Sequence, residues 1–140
     1  DRHQAMERIE QLIRQLPASK RSHWEILGPG KIDVSMRGGA RRQKVTVALE
    51  GTSYVFRSVV LRSAFVTRNV TRWRRLAVMA WERNCGHQVV TFGFDAEDQL
   101  VGAVEHPAAF LDAEELWAYV EALAWECDRL EEVVVGGDVE

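Results

Sequence analysis

The run KIDVSMRGGARRQKVTVALEGTSYVFRSVVL, residues 31–61, decides the fold. Ile32, Val34 and Met36 alternate with Asp33, Ser35 and Arg37. A period of two puts one apolar face toward a core and one polar face toward water, the mark of a half-buried strand. Gly38-Gly39-Ala40-Arg41-Arg42 then reads as a flexible, basic hairpin loop. Val45, Val47 and Leu49 alternate again, and Gly51-Thr52-Ser53 turns the chain. Tyr54, Phe56, Ser58 and Val60 interleave with Val55, Arg57, Val59 and Leu61. Just upstream, Trp24 and Ile26 open the first strand, ahead of the turn Gly28-Pro29-Gly30. The stretch predicts three consecutive strands joined by short turns, an antiparallel meander.

Helical patterns flank it. Ala5, Met6, Ile9, Leu12, Ile13 and Leu16 recur at helical spacing, and Pro17 stops that helix. Residues 18–23 form a polar connection. Residues 69–84 predict a second helix, with Val70, Trp73, Leu76, Ala77, Ala80 and Trp81 on its core face and Arg72, Arg75 and Arg83 opposite. Gly86 is its stop. A hairpin follows: Val90, Phe92 and Phe94 go out, Asp95-Ala96-Glu97-Asp98 turns, and Leu100, Gly102 and Val104 return as far as Pro107. The last helix begins near Asp112, which has capping-box spacing to Glu115. Leu116, Val120, Leu123, Cys127 and Leu130 make its core stripe. The expected fold is α+β: a mainly antiparallel five-stranded sheet with helices packed against it, in the order α-βββ-α-ββ-α. Residues 1–135 are expected to form one domain, and Gly136-Gly137 to open a frayed tail over 136–140.

Composition agrees with a single globular domain of 140 residues, 46% apolar and 28% charged. No apolar run approaches the roughly 18 residues of a membrane span, so no membrane contact is expected. The first residues carry no secretory-signal pattern. Two cysteines, Cys85 and Cys127, make no disulfide framework, and a reducing, cytoplasmic setting is expected. The net charge of −3 hides a split. Residues 1–90 hold 17 Lys/Arg against 7 Asp/Glu, and residues 91–140 hold 1 against 14. Such a chain satisfies itself internally, pairs across a dimer, or shows a basic face to an acidic partner.

Several segments together resemble the YbjN-type domain. They are Trp81-Glu-Arg-Asn84, Val90-Thr-Phe-Gly-Phe-Asp95, Leu100-Val101, Phe110-Leu-Asp112-Ala-Glu-Glu-Leu116 and Leu123-Ala-Trp-Glu-Cys-Asp128-Arg-Leu130. That family comprises bacterial sensory-transduction regulators and is similar in fold to the type III secretion chaperones. The match is tighter over residues 73–132 and loose before them. It implies a dimer-forming, non-enzymatic module that handles or regulates other proteins. No catalytic residue comes with it. Glu97-Asp98 stands where the family's hairpin carries an Asp-Gly type of turn.

The residues themselves offer little reaction chemistry. Cys85-Gly86-His87 supplies two metal ligands, but a structural zinc site needs four, and Cys127, His106, His23 and His3 have no paired spacing. As nucleophile and base, Cys85 and His87 would point apart on a turn. Asp95, Glu97, Asp98 and Glu105 surround one hairpin, where carboxylates are solvated. The turn glycines are followed by no phosphate-cradling helix. Neither enzyme activity, metal nor cofactor is expected.

Surfaces carry the functional expectation. The chain is expected to bind a segment of another protein at a sheet edge or groove, as a homodimer. Arg72 and Arg75 are candidates to attract an acidic partner. Trp125 lies off the core stripe of its helix, near Ala118 and Ala122, and the three are candidates for a partner or dimer face. Arg41, Arg42 and Lys44 lead a basic surface that also admits an alternative, a regulator contacting nucleic acid.

Overall fold

The computed structural model describes residues 1–86 and 89–137. Its elements are helix α1 (Arg2–Gln15), strands β1 (Trp24–Gly28), β2 (Lys31–Met36), β3 (Arg41–Glu50) and β4 (Ser53–Leu61), a one-turn helix α2 (Ser63–Val66), helix α3 (Val70–Asn84), strands β5 (Thr91–Phe94) and β6 (Leu100–Pro107), and helix α4 (Ala113–Gly137). The strands form a single antiparallel sheet in the order β1-β2-β3-β4-β6-β5. The predicted class holds, with six strands where five were expected. The extra one comes from the first hairpin. Gly30 takes a positive φ of 66°, so the Gly-Pro-Gly turn closes tightly enough for Trp24–Gly28 to pair back on β2 as a strand of its own. A Cβ on Gly30 would lie 2.4 Å from the Val47 carbonyl oxygen, so the turn tolerates only glycine. The basic segment expected as a loop is shorter than predicted, because β3 already begins at Arg41.

Alternation sets the two faces of the sheet. Val45 and Val47 of β3 are buried, while Arg42, Lys44, Thr46 and Ala48 are exposed. The core lies on the buried face, under α4. Leu116, Val120, Leu123, Cys127 and Leu130 are all buried as predicted, joined by Ala124 and Val134. The helix starts with the expected reciprocal cap. The Glu115 amide donates to Asp112 Oδ1 at 2.7 Å, and the Asp112 amide to Glu115 Oε1 at 3.1 Å. It continues through Gly137, two residues past its predicted end, and residues 138–140 of the expected tail lie outside the described residues. Gly102 of β6 lets α4 sit this close: a Cβ there would meet Cys127 Sγ at 2.6 Å and Val90 at 3.0 Å. α1 is docked by Tyr54, whose hydroxyl donates to the Ala5 carbonyl at 2.9 Å.

The hairpin β5–β6 solves its glycine-free turn with aspartates. Asp98 adopts a left-handed φ of 61°, which Asp tolerates better than most side chains. Asp95 Oδ1 accepts from the amides of Glu97 and Gln99, both at 2.9 Å. Burial pushes the Asp95 carboxyl up, but the hydrogen bonds from Gln99 and Glu97 and the charge of Arg57 together hold it below the usual range.

Candidate partner-binding surfaces

The two edges of the sheet differ. At one end, β5 is covered by α3. Asn84, the last residue of α3, uses its side chain as a short stretch of false strand: Nδ2 donates to the Phe92 carbonyl at 2.8 Å, and Oδ1 accepts from the Phe92 amide at 2.7 Å. The outward main-chain groups of Phe92 are therefore already paired, which blunts the edge. Trp73 adds an edge-to-face contact to Phe94. At the other end, β1 has no strand beyond it among the described residues. The Ser35 amide bonds the His23 carbonyl, so alternation along β1 turns the main-chain groups of Trp24 and Ile26 outward. Ile26 is 46% exposed and Leu27 45%. β1 is held down from the helix side, because Glu121 Oε2 of α4 receives Trp24 Nε1 at 2.7 Å and contacts His23 Nε2 at 2.8 Å. Trp117 Nε1 donates to the Lys20 carbonyl at 2.9 Å, with the Lys20 ammonium over the same indole. Sequence alternation placed Ile26 in the first strand but did not single out Leu27 or the exposure of the pair; two adjacent apolar residues on a five-residue strand, next to a turn, are the only signal for it.

α3 corrects a prediction. Its expected core face included Val70, Ala77 and Trp81, yet all three are exposed, Trp81 to 66%. The buried positions are Leu76, Ala80 and Arg72, the last only 9% exposed. The reason is placement. α3 flanks the short edge strand β5 and not the middle of the sheet, so only a narrow strip of it is covered. Arg72 fills that strip by laying its guanidinium over the Phe65 ring, 4.4 Å from the centroid. Arg75 is exposed. The two arginines named as one attracting pair thus occupy different environments. The outward stripe of α3 is Val70, Ala77, Val78 and Trp81, at helical spacing.

On α4, Trp125 is 42% exposed. Ala118 is exposed and Ala122 half-buried, and spacings of four and three residues put the three on one outward stripe.

The charge split is met in part inside the chain, by Arg37 and Arg41. Arg37 pairs with Glu132, and Arg41 holds Asp128 through Nε at 2.6 Å and Glu131 through a terminal nitrogen at 2.9 Å. Asp128 is almost fully buried, so Arg41 is its neutralising partner. Arg42 bridges Asp33 at 2.7 Å and Glu25 at 2.9 Å. Of the basic-surface candidates, then, Arg41 and Arg42 are committed to carboxylates, and Lys44 stands exposed on the outer face of β3. The Arg37 hydrogen bond and charge hold the Glu132 carboxyl below its usual range.

Reaction chemistry has little footing. Cys127 is buried, its Sγ 3.8 Å from the Ser58 carbonyl oxygen, and burial pushes its thiol up to about 12. That is the opposite of an activated nucleophile. Cys85 is exposed at the end of α3, and its sequence neighbour His87 lies outside the described residues. Among the described residues, no three His, Cys, Asp or Glu side chains gather as metal ligands, and no helix is long and apolar enough to cross a membrane.

An antiparallel sheet with one long helix across its middle and a second at its short edge is a type III secretion chaperone-like fold. Solved structures place the chain in that class over nearly its whole length. It is similar to a chain of the ExsC–ExsE complex at 15% identity and a TM-score of 0.59, covering 92% of this chain and 95% of that one. It is also similar to a chain of the heterodimeric ExoU–SpcU complex from the Pseudomonas aeruginosa type III secretion system, at 14% identity and a TM-score of 0.56, covering 89% and 96%. A third likeness is to the structure of the Yersinia pestis type III secretion chaperone SycH with a fragment of YscM2, at 13% identity and a TM-score of 0.51, covering 86% and 97%. No protein-family profile and no curated protein sequence matches the chain, so the YbjN resemblance stands on its motif residues alone.

Proposed function

We propose that this chain is a non-enzymatic, chaperone-like module that binds a segment of another protein by strand addition at β1, and that it does so as a homodimer. The inequality of the two sheet edges carries this reading. Asn84 blunts β5, whereas β1 presents outward amide and carbonyl groups beside exposed Ile26 and Leu27. An added strand gains main-chain hydrogen bonds from such an edge and selectivity from its side chains. The fold likeness adds support, since the similar ExsC–ExsE and ExoU–SpcU structures are complexes with a second protein.

Self-association is assigned to the outward stripe of α3. A tryptophan two-thirds exposed beside Val70, Ala77 and Val78 is the kind of aromatic anchor that forms the centre of an interface. The stripe of Ala118, Ala122 and Trp125 on α4 is assigned to partner contact.

Capture from native lysate with the intact chain, alongside an Ile26→Pro variant, tests the β1 assignment. The Ile26 amide points away from β2, so proline there spares the β1–β2 ladder and blocks an incoming strand. A partner retained by the parent and lost by Ile26→Pro, with an unchanged circular dichroism spectrum, is the expected result. A partner retained equally by both contradicts strand addition at β1.

A further inference from the structure

β3 and β4 are sequence neighbours in the middle of the sheet, yet they pair only from Thr46–Arg57 to Glu50–Ser53. Beyond that point they part. Arg41–Val45 continue on β2 alone, and Ser58–Leu61 on β6 alone. Side chains replace the missing ladder. Gln43 Nε2 donates to Ser58 Oγ and to the Val59 carbonyl, each at 2.7 Å, and Ser58 Oγ donates to the Lys44 carbonyl at 2.6 Å. Gln43 and Ser58 are both buried. A buried amide and hydroxyl that satisfy each other hold two strands apart at fixed spacing, where apolar side chains would let them close.

The parting opens a cleft of about 640 Å³. Arg42, Lys44, Arg57 and Arg62 line it together with the apolar Val59 and Phe65. Arg42 and Arg57 are engaged, with Asp33 and Glu25 and with Glu50. Lys44 and Arg62 make no ion pair among the described residues. Val59 is among the exposed large apolar side chains. The cleft thus combines an apolar patch with two cations that make no ion pair among the described residues, and α4 reaches its rim through Val135 and through Glu131, which is already paired with Arg41.

We infer that this cleft docks an extended acidic segment of a partner protein, with carboxylates on Lys44 and Arg62 and an apolar side chain over Val59 and Phe65. The inference rests on the partner-binding reading and adds to it a second contact, separate from the β1 edge. A nucleic-acid strand fits less well, because Arg42 and Arg57 are already engaged by Asp33, Glu25 and Glu50, which leaves two cations where a phosphate backbone needs a longer row of them.

Fluorescence anisotropy at low salt tests it, with three labelled probes: a short peptide of alternating Glu and Val, its twin with Lys for Glu, and a single-stranded oligonucleotide. The intact chain is compared with a Lys44→Glu/Arg62→Glu double variant and with Ile26→Pro. The acidic peptide is expected to bind about tenfold more tightly than its twin, and the double variant to lose about tenfold or more of that affinity. Ile26→Pro should leave the cleft contact intact. Equal binding of both peptides overturns the inference, as does binding that survives the double variant, or an oligonucleotide that binds better through the same two residues. If acidic-peptide binding is lost only with Ile26→Pro, strand addition at β1 stands and the cleft assignment falls. If neither peptide binds, the cleft assignment falls and the capture experiment still decides the β1 reading.

Discussion

α4 and α3 are both amphipathic by sequence, and they use their apolar residues in opposite ways. α4 crosses the middle of the sheet and buries Leu116, Val120, Leu123, Ala124, Cys127, Leu130 and Val134. α3 lies along the four-residue strand β5 and buries little beyond Leu76, Ala80 and the stem of Arg72. Trp73 and Met79 are partly covered, and Val70, Val78 and Trp81 face outward. In one helix apolar surface holds the fold together. In the other it is surplus to the fold, and surplus apolar surface on a folded chain marks a contact with something else.

If α4 is the structural helix, damage at its seat should cost most. Gly102→Ala places a methyl 2.6 Å from Cys127 Sγ, and overpacking of this kind costs about 2–3 kcal/mol. Urea unfolding should register that loss. Cys127→Ala in the same chain should restore part of it, because removing the sulfur makes the room the methyl needs. The second effect in size is Arg41→Ala, which strips the buried Asp128 carboxylate of its nearest cation. A fully buried pair broken this way loses 3–5 kcal/mol; Arg41 is one-third exposed, so about 2 kcal/mol is expected in the same measurement. A smaller loss, about 1 kcal/mol, is expected from Asn84→Ala, which removes the two hydrogen bonds fastening the end of α3 to Phe92. Hydrogen exchange should then rise at the Phe92 amide first. A loss from Asn84→Ala as large as that from Gly102→Ala would erase the distinction between the two helices.

The sequence made α4 legible because a helix over the centre of a sheet is covered along its whole apolar stripe, so periodicity and burial coincide. The Asp112–Glu115 cap was readable for the same local reason. α3 was misread because periodicity reports which residues share a face and not whether anything covers that face. Trp81 follows Leu76 and Ala77 at helical spacing, and only the shortness of β5 leaves it exposed. Trp24 and Ile26 were readable as the opening of the first strand, but they alternate for too few residues to show that the Gly-Pro-Gly turn makes β1 a strand of its own paired to β2. The cleft between β3 and β4 was beyond sequence reading altogether. Gln43 occupies an inward position of a regular strand pattern, and its bond to Ser58 depends on a pairing that no spacing reveals. Of the site candidates, Ala118, Ala122 and Trp125 share one outward stripe as expected. Arg41 turns out to be spent on α4 carboxylates far away in sequence, and Arg42 on Asp33 and Glu25 of the neighbouring strands.

The outward stripe of α3 can be tested without knowing any partner. Sedimentation velocity of the intact chain and of Trp81→Glu, across a wide concentration range, reads it directly. The account predicts a species of twice the chain mass for the parent and a monomer for the variant, with unfolding free energies within about 0.5 kcal/mol of each other because Trp81 is not part of the core. A parent that stays monomeric at every concentration, or a dimer indifferent to Trp81→Glu, contradicts it.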